Sequence, residues 1–199
     1  QYLHEDVMIA FSGGVDSTLL LKIAVEASKR YHTHVYAVTI QTVLHPVMEA
    51  DEAKRIADEL GAIHKVIHVD ELEGAGIKNN PVDRCYLCKK YMFTKVKELA
   101  HSLGISTILE GTNADDLKQY RPGIKAIQEL GLHSPLLEAN MTKKEIRELA
   151  ADYDLKAANK PSSPCLATRF PYHTLLNYEE MRKVEKIEDY LHACGFYNV

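Results

Sequence analysis

Val7–Ser17 reads VMIAFSGGVDS, and this stretch decides the fold. Val7–Phe11 is a compact apolar run of the length of a buried strand, and from about Val15 the residues Leu20, Ile23, Ala24 and Ala27 recur at helical spacing. Between the two stands Ser12-Gly13-Gly14-Val15-Asp16-Ser17. Glycines at a strand-to-helix junction let backbone N–H groups approach an anion, and the helix N-terminus adds partial positive charge. The hydroxyls of Ser12 and Ser17 can donate to phosphate oxygens. Asp16 beside phosphates makes sense when Mg²⁺ bridges them, and that is the role expected of it. A Gly-Gly turn with a helix cap is the plainer account; the order strand, SGGxDS, helix argues against it. The Walker pattern G-x-x-x-x-G-K-S/T is missing, which argues against γ-phosphate transfer of the P-loop type.

The same alternation continues down the chain. Val35–Thr42 reads as a second strand. Ala50, Ala53, Ile56, Ala57 and Leu60 form a helical stripe closed by Gly61. Val66–Val69 is a third strand and Ile105–Leu109 a fourth, with a helix over Leu87–Leu103 between them. This pattern implies an α/β fold, a mostly parallel twisted sheet with helices on both faces, Rossmann-like in outline. Thr142 with Glu145, and Asn177 with Glu180, mark two later helix starts. Lys160–Pro171 (KPSSPCLATRFP) carries three prolines and reads as a loop. Residues 1–140 are expected to form the nucleotide-binding α/β domain, and 141–199 a helical and loop extension.

Composition sets limits. The 199 residues suffice for one well-buried domain, with 46% hydrophobic and 26% charged residues. No apolar run reaches the length of a membrane span and no export signal opens the chain, so a cytoplasmic protein without a membrane partner is expected. A net charge of −4 argues against a broad nucleic-acid footprint.

The cysteines are Cys85, Cys88, Cys165 and Cys194. Cys85 and Cys88 form a Cys-x-x-Cys pair in PVDRCYLCKK (Pro81–Lys90), and Cys165 sits in the proline-rich loop. Three thiolates can hold a [4Fe–4S] cluster with one iron free of protein ligands. They can equally hold zinc with a fourth ligand from one of the ten histidines. Cys165 acting alone as nucleophile or persulfide carrier is a third reading. Spacing leaves these open. Cys194 continues the stripe Met181, Val184, Ile187, Leu191 and is expected to be a buried core thiol outside any site.

SGGVDS resembles the loop of the PP-loop ATP pyrophosphatases, which cleave ATP between its α and β phosphates and form adenylated intermediates. Further segments narrow the resemblance: PVDRCYLCKK, GTNADDLKQYRPG (Gly111–Gly123), SPLLEA (Ser134–Ala139), MTKKEIRELA (Met141–Ala150) and KPSSPCLATRFPY (Lys160–Tyr172). Together, from about Val7 to the end, the chain is similar to the LarE family of sulfur transferases. That resemblance implies adenylation of a carboxylate of pyridinium-3,5-dicarboxylate mononucleotide and replacement of oxygen by sulfur, in building the nickel-pincer nucleotide. It breaks the tie among the thiol readings. One version of the family sacrifices the sulfur of a lone cysteine in the CLAxR segment; the other adds the Cys-x-x-Cys pair and holds a [4Fe–4S] cluster. Cys85, Cys88 and Cys165 match the second, with sulfide or another donor as sulfur source.

The resemblance also implies ATP with Mg²⁺ at Ala10, Ser12, Gly13, Gly14, Asp16, Ser17, Thr39, Gly111, Thr112 and Asp115, the last favoured slightly over Asp116. Cys165 and Asp16 are the expected catalytic pair. Arg84, Arg121 and Arg169 lie in family-like segments, and their forks suit a substrate bearing phosphate and carboxylate; surface ion pairing is the plainer account of each. Lys160 suits pyrophosphate or plain exposure. A homo-oligomer is expected, and a further strand bearing substrate-phosphate residues is expected past residue 199. Cluster-dependent tRNA thiolation is the alternative function, and a zinc-containing nucleotide-binding protein without catalysis is another.

Overall fold

The computed structural model describes residues 1–42, 44, 47–160 and 164–196. Four strands, β1 (Val7–Ala10), β2 (Val35–Gln41), β3 (Ile63–His68) and β4 (Thr107–Leu109), pair in parallel in the order β3-β2-β1-β4. Helices α1 (Val15–Ser28), α2 (Val47–Leu60), α3 (Glu71–Gly74), α4 (Arg84–Ser102), α5 (Gly123–Leu130), α6 (Pro135–Glu138), α7 (Lys143–Asp152) and α8 (Tyr178–Ala193) connect and follow them. This is the α/β fold the sequence implies.

Alternation along β1 explains the layering. Val7 and Ile9 face a core shared with Leu19 and Leu21 of α1, Ala53 and Ala57 of α2, and Ile146 and Ala150 of α7. Met8 faces the opposite side with Val38, where Phe93, Val96 and Ala100 of α4 and Ile127 of α5 cover the sheet. A strand buried on both faces needs a continuous apolar run, and Val7–Ile9 supplies it. Burying Ile146 completely contributes about 2 kcal/mol to seating α7. A third apolar cluster lies apart from these, built from Leu44, Leu72, Ile77, Leu166, Ala167, Leu176 and Met181.

Several boundaries differ from expectation for identifiable reasons. β3 starts at Ile63 because it is an edge strand defined by its pairing from Tyr36 to Gln41, not by apolar content. β4 starts at Thr107 because Ile105 N–H bonds back to the Ala100 carbonyl and so closes the turn after α4. α4 begins at Arg84, which places Cys85 and Cys88 in its first turns at i and i+3, on one side of the helix. Thr142 and Glu145 form the expected capping box, and the Asn177 side chain caps α8 through Glu180 N–H.

The expected buried thiol at Cys194 is a correction, since Cys194 is exposed. Along α8, Met181 is buried and Ile187 is 59% exposed, so among the described residues the far half of the stripe meets no core. Within the proline-rich segment, Leu166–Arg169 forms a 3-10 turn. Pro161–Ser163, the Ala50 side chain, and the end at Asn198–Val199 where a strand is expected lie outside the described residues. Among the described residues no helix is long and apolar enough to cross a membrane.

Candidate active site

The chain leaves β1 toward β2 and β3 and returns to β4 on the other side of β1. Connections that depart in opposite directions leave a crevice at the carboxyl ends of those neighbouring strands. A cleft of about 490 Å³ lies there, reached by Ser12–Ser17 after β1 and by Glu110–Thr112 after β4. Gly13 adopts φ +73°, a left-handed turn that L side chains rarely adopt. Ser17 Oγ accepts from Ser12 N–H at 3.3 Å and lies 3.2 Å from Ser12 Oγ; Ser12 Oγ accepts from Gly14 N–H at 3.3 Å. The loop is therefore pre-shaped by its own hydroxyls at the α1 N-terminus, where the first N–H groups lack helical acceptors. Across the cleft, a Cβ on Gly111 would sit 3.2 Å from both Asp16 Cβ and Ser17 N, so the two loops touch through their main chains.

Asp16 is the focus of the polar contacts. Its Oδ1 accepts from Asn113 Nδ2 at 3.0 Å, and its Oδ2 pairs with Lys143 Nζ. Lys143 opens α7, and Arg147 lines the cleft one turn later, its guanidinium donating to the carbonyls of Ala158 and Lys160. Lys160 Nζ bonds Glu52 at 2.9 Å. With Lys89 and Arg121, these make the cleft's rim cationic. Buried Glu110 accepts from Thr112 N–H at 3.1 Å, Thr112 Oγ1 at 2.7 Å and Ser134 Oγ, and so fixes the loop after β4.

Ala10, Ser12, Gly14, Asp16, Ser17, Thr39, Gly111, Thr112 and Arg121 all line this cleft. Thr39 Oγ1 donates to the Phe11 carbonyl at 3.0 Å and meets His64 Nε2 at 2.8 Å, and burial lowers the His64 pKa. Asp116 lines the cleft, pairing with Arg121 at 3.0 Å, whereas Asp115 is turned to Lys118 Nζ and to Lys143 N–H, each at 2.8 Å. The Lys118 bond first and the Lys143 N–H second hold the Asp115 pKa down.

The other sequence-expected group gathers against the third apolar cluster. Cys88 and Cys165 are half-buried there, packed on it with Leu87 and Phe170, while Cys85 is exposed. The three are near enough for charge on one to disfavour charge on another. Burial first, then Glu71 and the other two sulfurs, pushes the Cys88 thiol pKa far up. Burial pushes Cys165 to about 11, partly offset by a hydrogen bond from Ala167 N–H. Among the described residues no three His, Cys, Asp or Glu side chains are drawn together on the scale of a single metal ion.

A side-chain clamp joins the two segments that carry these thiols. Asn80, fully buried at φ +46°, donates through Nδ2 to the carbonyls of Phe170 (3.1 Å) and Pro171 (2.8 Å), and its Oδ1 accepts from Arg84 Nη1 at 2.9 Å. The buried Arg84 guanidinium stacks on Tyr172, 4.7 Å from the ring centroid. Arg84 thus faces inward, beside the thiols. Arg169 pairs with Glu188 of α8. Two short paths link thiols and cleft: Lys89, next to Cys88, lines the cleft, and so does Thr42, whose near neighbour Leu44 accepts from Leu166 N–H at 3.1 Å.

The asparagine synthase family profile matches residues 4–119. Over 192 residues the chain is 35% identical to the uncharacterized protein slr1717 of Synechocystis, covering 96% of this chain and 70% of that protein. Over 190 residues it is 38% identical to the pyridinium-3,5-bisthiocarboxylic acid mononucleotide synthase of Lactiplantibacillus plantarum, covering 96% and 68%. The chain belongs to the LarE family. LarE proteins are ATP-dependent sulfurtransferases of the PP-loop type, and the cleft after β1 is where that loop sits. In fold, this LarE chain resembles the solved U34-tRNA thiolase NcsA from Methanococcus maripaludis with its [4Fe-4S] cluster. The TM-score is 0.64 at 21% identity, over 94% of this chain and 66% of that one.

Lys143, Arg147 and Lys89 were not singled out from the sequence. The usable signal was position: Lys143 follows the N-cap of a helix inside a LarE-like segment, and Arg147 lies four residues on, on the same face.

Proposed function

We propose that this LarE chain activates a carboxylate of pyridinium-3,5-dicarboxylate mononucleotide with ATP and exchanges one carboxylate oxygen for sulfur. The carboxylate oxygen attacks the α-phosphorus, pyrophosphate leaves, and an acyl adenylate forms. Sulfide then attacks the acyl carbon, the C–O bond to AMP breaks, and a thiocarboxylate and AMP remain. Adenylation is needed because a bare carboxylate oxygen is a poor leaving group. What supports the reading is that Cys88 and Cys165 pack on one apolar cluster, with Cys85 one helical turn before Cys88, while Lys89, next to Cys88, lines the cleft behind SGGVDS.

Two groups fit these residues. Asp16 presents one carboxylate oxygen to a cation, which suits Mg²⁺ bridging to phosphates. Three thiols, two of them packed on an apolar wall beside the Arg84 guanidinium, suit a [4Fe–4S] cluster, whose remaining iron would offer an open position for inorganic sulfide. The chain's α1 N-terminus and loop N–H groups orient the phosphates. Lys89 on the cleft's rim takes the substrate's anionic groups, and Arg84 and Arg169 hold the thiol-bearing segments in place.

The test is pyrophosphate release from ATP and the pyridinium dicarboxylate nucleotide by anaerobically reconstituted protein, with thiocarboxylate read by mass spectrometry. Sulfide-dependent product on repeated turnover is expected. Pyrophosphate release driven by bulk tRNA instead would move the function to tRNA thiolation, which the acidic balance disfavours. Stoichiometric zinc in place of iron would end the cluster reading.

A further inference from the structure

Lys143 is anchored at its base and extended at its tip. Its N–H donates to Asp115 Oδ2 at 2.8 Å, and the preceding residue, Thr142, is locked in a capping box with Glu145. The side chain, 38% exposed, reaches across to Asp16 Oδ2, while Asn113 holds the other oxygen of that carboxylate. Three other cations of the cleft are committed elsewhere: Arg147 to the carbonyls of Ala158 and Lys160, Lys160 to Glu52, and Arg121 to Asp116.

We infer that Lys143 is a built-in stand-in cation for Asp16, which competes with a divalent metal for that carboxylate and swings to the nucleotide's phosphates when the metal–nucleotide complex enters. The inference rests on the reading of Asp16 as the metal-facing carboxylate. An ammonium and a divalent ion cannot share one carboxylate oxygen without strong repulsion, so metal alone must displace Lys143 with nothing to receive it. ATP changes the balance by bringing phosphate oxygens within the sweep of the same four-carbon stem, and the freed Asp16 oxygen then faces the metal. Asp115 gains a function in this arrangement. It does not meet the metal; it fixes the pivot from which Lys143 swings. Metal uptake and nucleotide uptake are thereby made mutually dependent.

Mn²⁺ counted by electron paramagnetic resonance tests this on the full chain, with and without an ATP analogue carrying a methylene between its α and β phosphorus atoms. The Lys143→Met variant is expected to bind Mn²⁺ about tenfold more tightly than the parent without nucleotide, and to bind the analogue more weakly. Lys143→Arg, which keeps the charge, is expected to retain the parent's weak nucleotide-free binding. Unchanged nucleotide-free affinity in Lys143→Met, alongside loss of analogue-dependent Mn²⁺ in Asp16→Asn, overturns the inference. Asp16→Asn binding Mn²⁺ with the analogue as well as the parent overturns instead the reading of Asp16 on which it rests.

Discussion

The cleft and the thiol cluster lie side by side but are built in opposite ways. The cleft is mostly main chain: Gly13 in a left-handed turn, the open N-terminus of α1, and Gly111 pressed against Asp16 and Ser17. It inherits its geometry from the register of β1 and β4. Among the described residues, no strand contributes to the apolar cluster on which the thiols rest. The thiols come from the start of α4 and from a turn far along the chain, and side chains tie them together: Asn80 to Phe170 and Pro171, Arg84 onto Tyr172. One region is a feature of the fold; the other is an assembly resting on it. Adenylation and sulfur transfer should therefore be separable by mutation.

The sharpest separation comes from Cys165→Ala. Thiocarboxylate is expected to fall to background while pyrophosphate release continues near the parent rate, because no cleft-lining residue is touched. Pyrophosphate and product measured in one reaction decide it; joint loss of both would mean that the regions are not independent.

Next in size is Asn80→Ala. It removes three side-chain hydrogen bonds from a fully buried position and leaves the buried Arg84 without its acceptor. Unpaired buried polar and charged groups cost about 2–4 kcal/mol, read as a shift in urea denaturation. Binding of a trivalent arsenical, which needs neighbouring thiols, should weaken more than ATP binding does. An equal loss in both would make Asn80 a general prop rather than a clamp for the thiols.

The same contrast explains what could be read from the sequence. SGGVDS and its flanking strand and helix were legible because they are consecutive, and their chemistry follows from local geometry. The grouping of Cys85 with Cys88 was legible for the same reason, through the Cys-x-x-Cys spacing, although the helix start at Arg84 that carries both was not. Lys143 was not, because its direction depends on Ile146 and Ala150 seating α7 against the β1–α1 core, a tertiary event. Adjacent Asp115 and Asp116 offered only a slight preference for Asp115, and a 3-10 turn capped by Asn113 sends Asp115 to α7 and Asp116 to the cleft. Arg84 has the chemistry of an anion-binding residue, but buried Asn80 and the Tyr172 ring turn it inward. Cys194 followed a valid stripe along α8, but periodicity does not say how much core waits for each turn.

Gly111→Ala probes the cleft without touching the thiols. The added Cβ would stand 3.2 Å from Asp16 Cβ and from Ser17 N, tighter than ordinary contact and partly against backbone. Relief requires the loop after β4 to back away from α1, at about 1–2 kcal/mol. ATP affinity measured by calorimetry should fall about tenfold, with arsenical binding unchanged.

Acidity gives the smallest effect and the one that sets the two regions at opposite ends of the pH scale. Burial raises Cys165 from an ordinary 9.0 to about 11, so the folded chain keeps a proton that the unfolded chain has begun to release. Its contribution to stability is whole below pH 9.0 and is withdrawn as pH climbs through about 11; Cys88 shifts the same way. Asp115 is held below its ordinary 3.8 by Lys118 and the Lys143 N–H, so its contribution is present above that value and fades as pH falls beneath it. In the metal-free protein, urea midpoints should therefore sag in alkali through the thiols and in acid through the anchor of α7. Cys165→Ser should soften only the alkaline limb, where Cys88 still acts, and Asp115→Asn only the acid one. If either substitution moved both limbs, the two regions would share a common electrostatic support, and the distinction between inherited cleft and assembled thiol site would fail.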